Sequence, residues 1–231
     1  MSIRISCIQP SYKRSVMSSE TFKEWVGHAD RPEEIEYIIA LDSIDPTTSE
    51  YQEKFSTLLE IQKLARFEIS VGDSTNANQA MNRGAKISSS CSELIVVLAD
   101  DEGCFPHWDT ELFKLLEGVD NFKDPKLIWA NDGYWQWGTI ITAYFANRAF
   151  YNKLGYVINE EYPAWWGDND LTETAKALNV IIPAPHLTFL HRHYTKGYCP
   201  IDETYARRSN QKTFDQGQEI FLKRKARNFD L

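Results

Sequence analysis

The sequence predicts an α/β protein: a largely parallel sheet covered by helices on both faces. Short apolar, β-branched runs recur along the chain and each stops at a polar cluster, while segments with helical spacing of apolar residues separate them. Such βαβα order buries parallel strands between two helical layers. The 231 residues, 42% of them hydrophobic, suffice for the core of one large domain or two small ones.

The first run is IRISCIQ, residues 3–9, and it leads into PSYKR. A helix is expected over 20–29, then a strand over 35–41 (IEYIIAL) that stops at Asp42. Residues 50–65 place Phe55, Leu58, Leu59 and Ile61 on one helical face, and a third strand runs from Phe67 to Val71, ahead of Asp73. A helix over 76–89 precedes the fourth strand, Leu94–Ala99, which ends in Asp100, Asp101 and Glu102. Residues 108–116 read as helix and Leu127–Ala130 as a fifth strand. In sheets of this kind ligands bind outside the carboxyl ends of the strands. The polar strand ends Pro10, Ser11, Tyr12, Arg14, Asp42, Asp73 and Asp100–Glu102 are therefore expected to converge.

Three consecutive acids at the end of a buried strand repel one another and lose hydration, so something positive is expected among them. A divalent cation such as Mg²⁺ or Mn²⁺ suits, because it takes carboxylate oxygens and commonly bridges them to substrate phosphates. The plainer alternative is a solvated turn whose acids cap the following helix.

Charge and cysteine content narrow the partners. A formal net charge of -8 and a pI near 5.2 argue against a generalised nucleic-acid or membrane surface. The four cysteines are dispersed, with no C-x-x-C pair, which points to a reducing compartment. No run approaches the ~20 apolar residues of a membrane span, and the N-terminus lacks a signal-peptide core. A soluble, cytoplasmic protein is the resulting expectation.

The stretch NANQAMNRGAKISSSCSELIVVLADDEGCFP, beginning at Asn76, resembles a segment of family 2 glycosyltransferases of the GT-A fold. There an A-x-N-x-G helix, matched here by Ala80, Asn82 and Gly84, leads into a strand and an acidic metal-binding motif. Pro10–Arg14 resembles that family's P-x-Y-x-R, and Asp42 its second-strand acid. WWGDNDLTETA, residues 165–175, is similar to the family's E-D-x-D-L segment, with Gly167 in place of the usual Glu. LTFLHRHY, residues 187–194, looks like a late strand carrying a histidine that completes the metal site. The resemblance covers about residues 3–195 and implies a GT-A type, Rossmann-like α/β/α sandwich with a mostly parallel central sheet.

What the resemblance implies about the site can be stated residue by residue. Pro10, Ser11, Tyr12, Arg14, Asp42, Asn78 and Asp100 would bind a nucleotide diphosphate sugar, most simply a UDP-sugar. Asp101 and a histidine would hold Mn²⁺ or Mg²⁺, with His191 the first choice and His193 its rival of equal strand parity. Asp168 would be the base of an inverting transfer, and Asp170 becomes an alternative because of Gly167. Both acids could instead serve as caps and dipole partners at a helix start. Trp137 and Trp166 are expected to stack on a sugar, although most tryptophans simply pack in cores.

The nucleotide half would span about 1–106 and the acceptor half 107–195, followed by a charged, helical extension over 196–231. Its cations Arg207, Arg208, Lys223, Arg224, Lys225 and Arg227 could touch an anionic ligand, but such a run reads first as a solvated helical face. The acceptor could be a glycan, a lipid-linked sugar, a protein or a modified nucleic-acid base. Competing readings are a noncatalytic nucleotide- or carbohydrate-binding module and a nucleotidyltransferase. The latter would normally carry a glycine-rich phosphate loop, which PSYKR lacks.

Overall fold

The computed structural model describes residues 2–117, 122–134, 137–208 and 210–231, the side chains of 207 and 208 excepted. Seven strands form one sheet in the order β3-β2-β1-β4-β6-β5-β7. They are β1 (Ile5–Ser11), β2 (Ile35–Asp42), β3 (Arg66–Gly72), β4 (Leu94–Val97), β5 (Leu127–Asn131), β6 (Ala143–Asn147) and β7 (Ile181–Thr188). β1 to β4 pair in parallel and β5 pairs in parallel with β7, whereas β6 runs antiparallel to both of its neighbours. The helices are α1 (Ser15–His28), α2 (Thr48–Ser56), α3 (Ala77–Ile87), α4 (Trp108–Glu117), α5 (Arg148–Leu154), α6 (Gly167–Leu178), α7 (Glu203–Arg208) and α8 (Gln211–Ala226).

Strand alternation splits the core in two. Leu94 and Val96 of β4 join Trp25, Phe22 and Trp108 on one side of the sheet, while Ile95 and Val97 join Phe150, Leu171 and Ala175 on the other. Ile128 and Ala130 of β5 face the first cluster, Leu127 and Trp129 the second. This period of two is what a strand covered on both faces requires.

The A-x-N-x-G helix docks by shape and hydrogen bonding. A Cβ at Gly84 would lie 2.5 Å from Ile8 Cγ2, so α3 can cross β1 only with glycine there. Asn82 donates to the Ile158 carbonyl at 2.7 Å and accepts the Val157 amide at 3.0 Å, tying α3 to the loop before α6. Asn76 supplies the helix cap by accepting the Gln79 amide, as its short polar side chain favours.

Several sequence expectations need correction. The helix expected over 50–65 breaks after Ser56 into a 3₁₀ turn at Leu59–Lys63. Ser56 and Thr57 turn their hydroxyls back to the Glu53 and Lys54 carbonyls, offering the backbone an alternative to continued helix. α1 begins at Ser15 rather than residue 20, because Ser15, Ser18 and Ser19 pack as small buried residues without an apolar period. The expected late strand over 187–194 lies mostly earlier, at Ile181–Thr188. Pro183 and Pro185 obscure it, and they are tolerated because β7 is an edge strand. β6, with its short run AYFAN, carried no strand expectation.

Candidate active site

A cavity of about 460 Å³ opens at the carboxyl ends of β1, β2 and β4. Its lining includes Pro10 and Ser11 at the end of β1 with Tyr12 and Arg14 just beyond it, Asp42 at the end of β2, and Asp100, Asp101 and Glu102 after β4. Asn78, Asp168, His191 and His193 also line it. Asp73 does not; it accepts a hydrogen bond from Ser43.

The PSYKR turn is shaped by its neighbours. Asp45 accepts the Lys13 amide at 2.8 Å, where Lys13 has φ of 54°. Tyr51 Oη accepts the Arg14 amide at 2.8 Å and sits 2.7 Å from Ser11 Oγ. Ser11 in turn donates to Asp100 Oδ2 at 2.7 Å. The turn therefore delivers Arg14 into the acids.

Arg14 supplies positive charge that the sequence reading assigned to a cation. Its Nη1 lies 2.8 Å from Asp100 and 3.8 Å from Asp101, while Nε and Nη2 bind the two oxygens of Asp202 at 2.6 and 2.8 Å. Three carboxylates thus share one guanidinium, and the cluster keeps an acidic excess.

The acids differ in character. Burial pushes Asp100 up, an effect that Arg14 opposes and Asp101 reinforces. Burial would also raise Asp101, but hydrogen bonds from His191 and Tyr205 and the charge of Arg14 outweigh it and hold Asp101 well below the usual carboxylate range. Glu102, with its carboxylate against the Ala99 amide, is pushed up to about 8 by burial, with His191 opposing. Asp101 is thus the acid held most firmly ionised.

His191 Nε2 stands 3.5 Å from Asp101 Oδ1. Its backbone is fixed by a bond to the Asp132 carbonyl at 2.8 Å and by a bridge to Glu102. His193 turns Nδ1 to Thr195 Oγ1 at 3.0 Å and packs its ring 5.0 Å from Tyr134. An oxygen and an imidazole nitrogen at 3.5 Å is a separation that two ligands of one Mn²⁺-sized ion would span, at roughly 2.1 Å from each. A carboxylate and an imidazole so placed are donors of the kind that fit a divalent cation.

The two acids of α6 part company. Asp168, at the second helical position, lines the cavity. Asp170 is 1% exposed and lies outside the lining. It accepts from Tyr162 Oη at 2.8 Å and from Arg224 Nε at 2.6 Å. Neither acid caps the helix: Trp166 holds the N-cap position at φ of 77°, without a side-chain cap bond. The solvated-face reading of the C-terminal cations fails at Arg224, which is 4% exposed and paired with Asp170. The side chains of Arg207 and Arg208 lie outside the described residues.

The tryptophans are placed differently from expectation. Trp166 packs on Phe214 and Phe221 at 5.5 and 5.3 Å, away from the cavity lining, and its indole nitrogen is buried without a hydrogen-bond partner. Gly217 permits this, since a Cβ there would meet Trp166 Cδ1 at 2.9 Å. Trp165 faces the cavity instead. Trp137 lies against Trp129 at 5.1 Å, outside the main lining, and Trp135 falls outside the described residues.

Other lining residues carried no sequence expectation. Asp132, at the end of β5, accepts from the Tyr134 amide and Thr142 Oγ1, and it could have been found by the same strand-end rule. Thr204, Tyr205 and Thr213 come from the C-terminal segment. Tyr205 donates to Asp101 Oδ2 across 104 residues of sequence, a contact that no local pattern announces.

No protein-family model matches the chain, and no curated protein sequence matches it. Solved structures do. TarS 1–349 from S. aureus superposes with a TM-score of 0.63 at 14% identity, over 80% of this chain and 59% of that one. The mannosyltransferase PcManGT from Pyrobaculum calidifontis superposes with 0.60 at 13% identity, over 98% and 76%. The chain has the GT-A fold. The catalytic domain of Drosophila β1,4-galactosyltransferase 7, with 0.59 at 10% identity over 93% and 79%, shares it too. TarS has been solved with UDP, PcManGT with GDP-Man and Mn²⁺, and the galactosyltransferase with manganese, UDP-Gal and xylobiose. Within this GT-A fold the cavity lies at the carboxyl edge of the parallel half-sheet. The chain spans 59% of the length of the TarS fragment, and no helix among its described residues is long and apolar enough to cross a membrane.

Proposed function

We propose that the protein is a metal-dependent, inverting glycosyltransferase that moves a sugar from a nucleotide diphosphate sugar to an acceptor hydroxyl. The observation that carries this reading is the convergence of Arg14, Asp42, Asp101, His191 and Asp168 on one cavity. Residues 1–106 hold the nucleotide, with Tyr12 and Asp42 toward base and ribose, and residues 107–195 receive the acceptor. Asp101 and His191 hold the cation, and their mixed oxygen and nitrogen set suits Mn²⁺ better than Mg²⁺. When bound, the ion stabilises charge on the departing diphosphate.

Asp168 accepts the proton of the acceptor hydroxyl as that oxygen attacks the anomeric carbon from the face opposite the leaving diphosphate. A carboxylate is strong enough because the hydroxyl becomes acidic only as the new bond forms. Trp165, rather than Trp166 or Trp137, offers an indole face to a sugar in the cavity. UDP is the preferred nucleotide, and glycan, lipid-linked sugar, protein or modified nucleic-acid base are the acceptor classes. The four free thiols suit a cytoplasmic setting.

A screen of UDP- and GDP-sugars for release of nucleotide diphosphate, with Mn²⁺ and with EDTA, tests the reading. Slow hydrolysis of at least one donor, dependent on Mn²⁺, is expected. Binding without turnover of any donor, even with sugar acceptors added, would favour a noncatalytic module. Release of pyrophosphate from a nucleoside triphosphate and a sugar phosphate would favour a nucleotidyltransferase.

A further inference from the structure

We propose that Tyr205 is a positioning residue for the cation site, supplied by the C-terminal segment to fix which oxygen of Asp101 faces the ion. The inference rests on the metal-dependent reading above. A carboxylate has two oxygens with which to bind a cation. In Asp101, Oδ2 accepts the Tyr205 hydroxyl and lies 3.8 Å from Arg14, which leaves Oδ1 directed at His191. Tyr205 thereby selects a one-oxygen ligand aimed at the same point as the imidazole.

The segment is built to hold the phenol there. Asp202 accepts the Tyr205 amide at 3.0 Å with the oxygen that also receives Arg14 Nη2, so one carboxylate starts α7 and ties it to the β1 turn. Thr204 donates to the Tyr12 carbonyl at 2.9 Å, and Lys13 pairs with Glu203 at 2.9 Å. The Tyr205 ring lies over the Arg14 guanidinium at 4.2 Å and against Tyr194 and His193 at 4.6 and 4.8 Å. These contacts fix the ring independently of the hydroxyl, so removing the hydroxyl isolates its role. Outer hydrogen bonds that orient metal ligands are typically worth 10–100-fold in metal affinity.

Tyr205→Phe tests this in the full chain. Mn²⁺ affinity is read from loss of the free aquo-ion electron paramagnetic resonance signal at saturating UDP, alongside UDP affinity in EDTA and the melting temperature. The expected result is Mn²⁺ binding weakened about 10-fold or more, with UDP affinity in EDTA close to the parent and a fall in melting temperature no larger than the loss of one charge-assisted hydrogen bond brings. Mn²⁺ affinity within twofold of the parent, or tighter, would overturn the assignment and, if tighter, make the phenol a competitor of the ion. A parent chain with no Mn²⁺-dependent UDP binding would instead remove the metal reading itself and the inference with it.

Discussion

Replacing Asp168 by Asn is expected to lower sugar transfer by roughly 10²-fold or more, the usual scale of general-base catalysis, while donor binding stays nearly intact. The carboxylate sits in the first turn of α6 and lines the cavity, while its main-chain carbonyl accepts Thr172 Oγ1 at 2.6 Å. That backbone contact survives substitution. Trp166 holds the N-cap position, and a carboxylate such as Asp168 near the positive end of a helix is worth about 0.3–1 kcal/mol. A structural Asp168 therefore predicts a small stability loss and an unchanged rate. Steady-state kinetics with the donor found by the screen distinguishes the two, and transfer at the parent rate would remove the catalytic assignment.

Arg224→Met is expected to be strongly destabilising. Arg224 links α8 to α6 through Asp170, holds Asp230 at 2.6 Å and reaches the Phe229 carbonyl at 3.2 Å. Methionine fills much of the space but leaves Asp170, 1% exposed, with the Tyr162 hydroxyl and, at 3.4 Å, Thr174 as its side-chain hydrogen-bond partners among the described residues. Breaking one side of a buried pair costs about 3–5 kcal/mol. In a chain of this size that lowers the melting temperature by on the order of 10 °C. The double variant Arg224→Met, Asp170→Leu should recover much of the loss, because no buried charge is then stranded. Differential scanning calorimetry reads both. If the double variant melts as low as the single one, Asp170 is not the group left uncompensated.

The half of the chain up to about residue 106 was legible because its signals are local. Apolar runs ending in polar residues, PSYKR after β1 and acids at β2 and β4, encode these strands, and the rule that ligands gather at strand ends places Arg14, Asp42 and Asp101 together without coordinates. The other half was less so. Pro183 and Pro185 mask an edge strand whose position in the sheet, not its sequence, makes them tolerable. β6 is too short to show a period. Trp166 was misplaced because what turns it away is Gly217, on a helix some fifty residues later. The same holds for the choice between Asp168 and Asp170: spacing leaves both open, and only the burial of Arg224 claims one of them. Tyr205 and Asp202 are beyond local reading, since each acts on a residue more than one hundred positions away.

A divalent cation on Asp101 and His191, as proposed, would recruit the nucleotide diphosphate. Isothermal titration of UDP into the parent and into Asp101→Asn, each with Mn²⁺ and with EDTA, tests it most directly. Mn²⁺ is expected to tighten UDP binding to the parent by at least about tenfold, or 1.4 kcal/mol, and this increment should disappear in Asp101→Asn while binding in EDTA stays the same. Equal UDP affinity in the two proteins, with and without Mn²⁺, would contradict it.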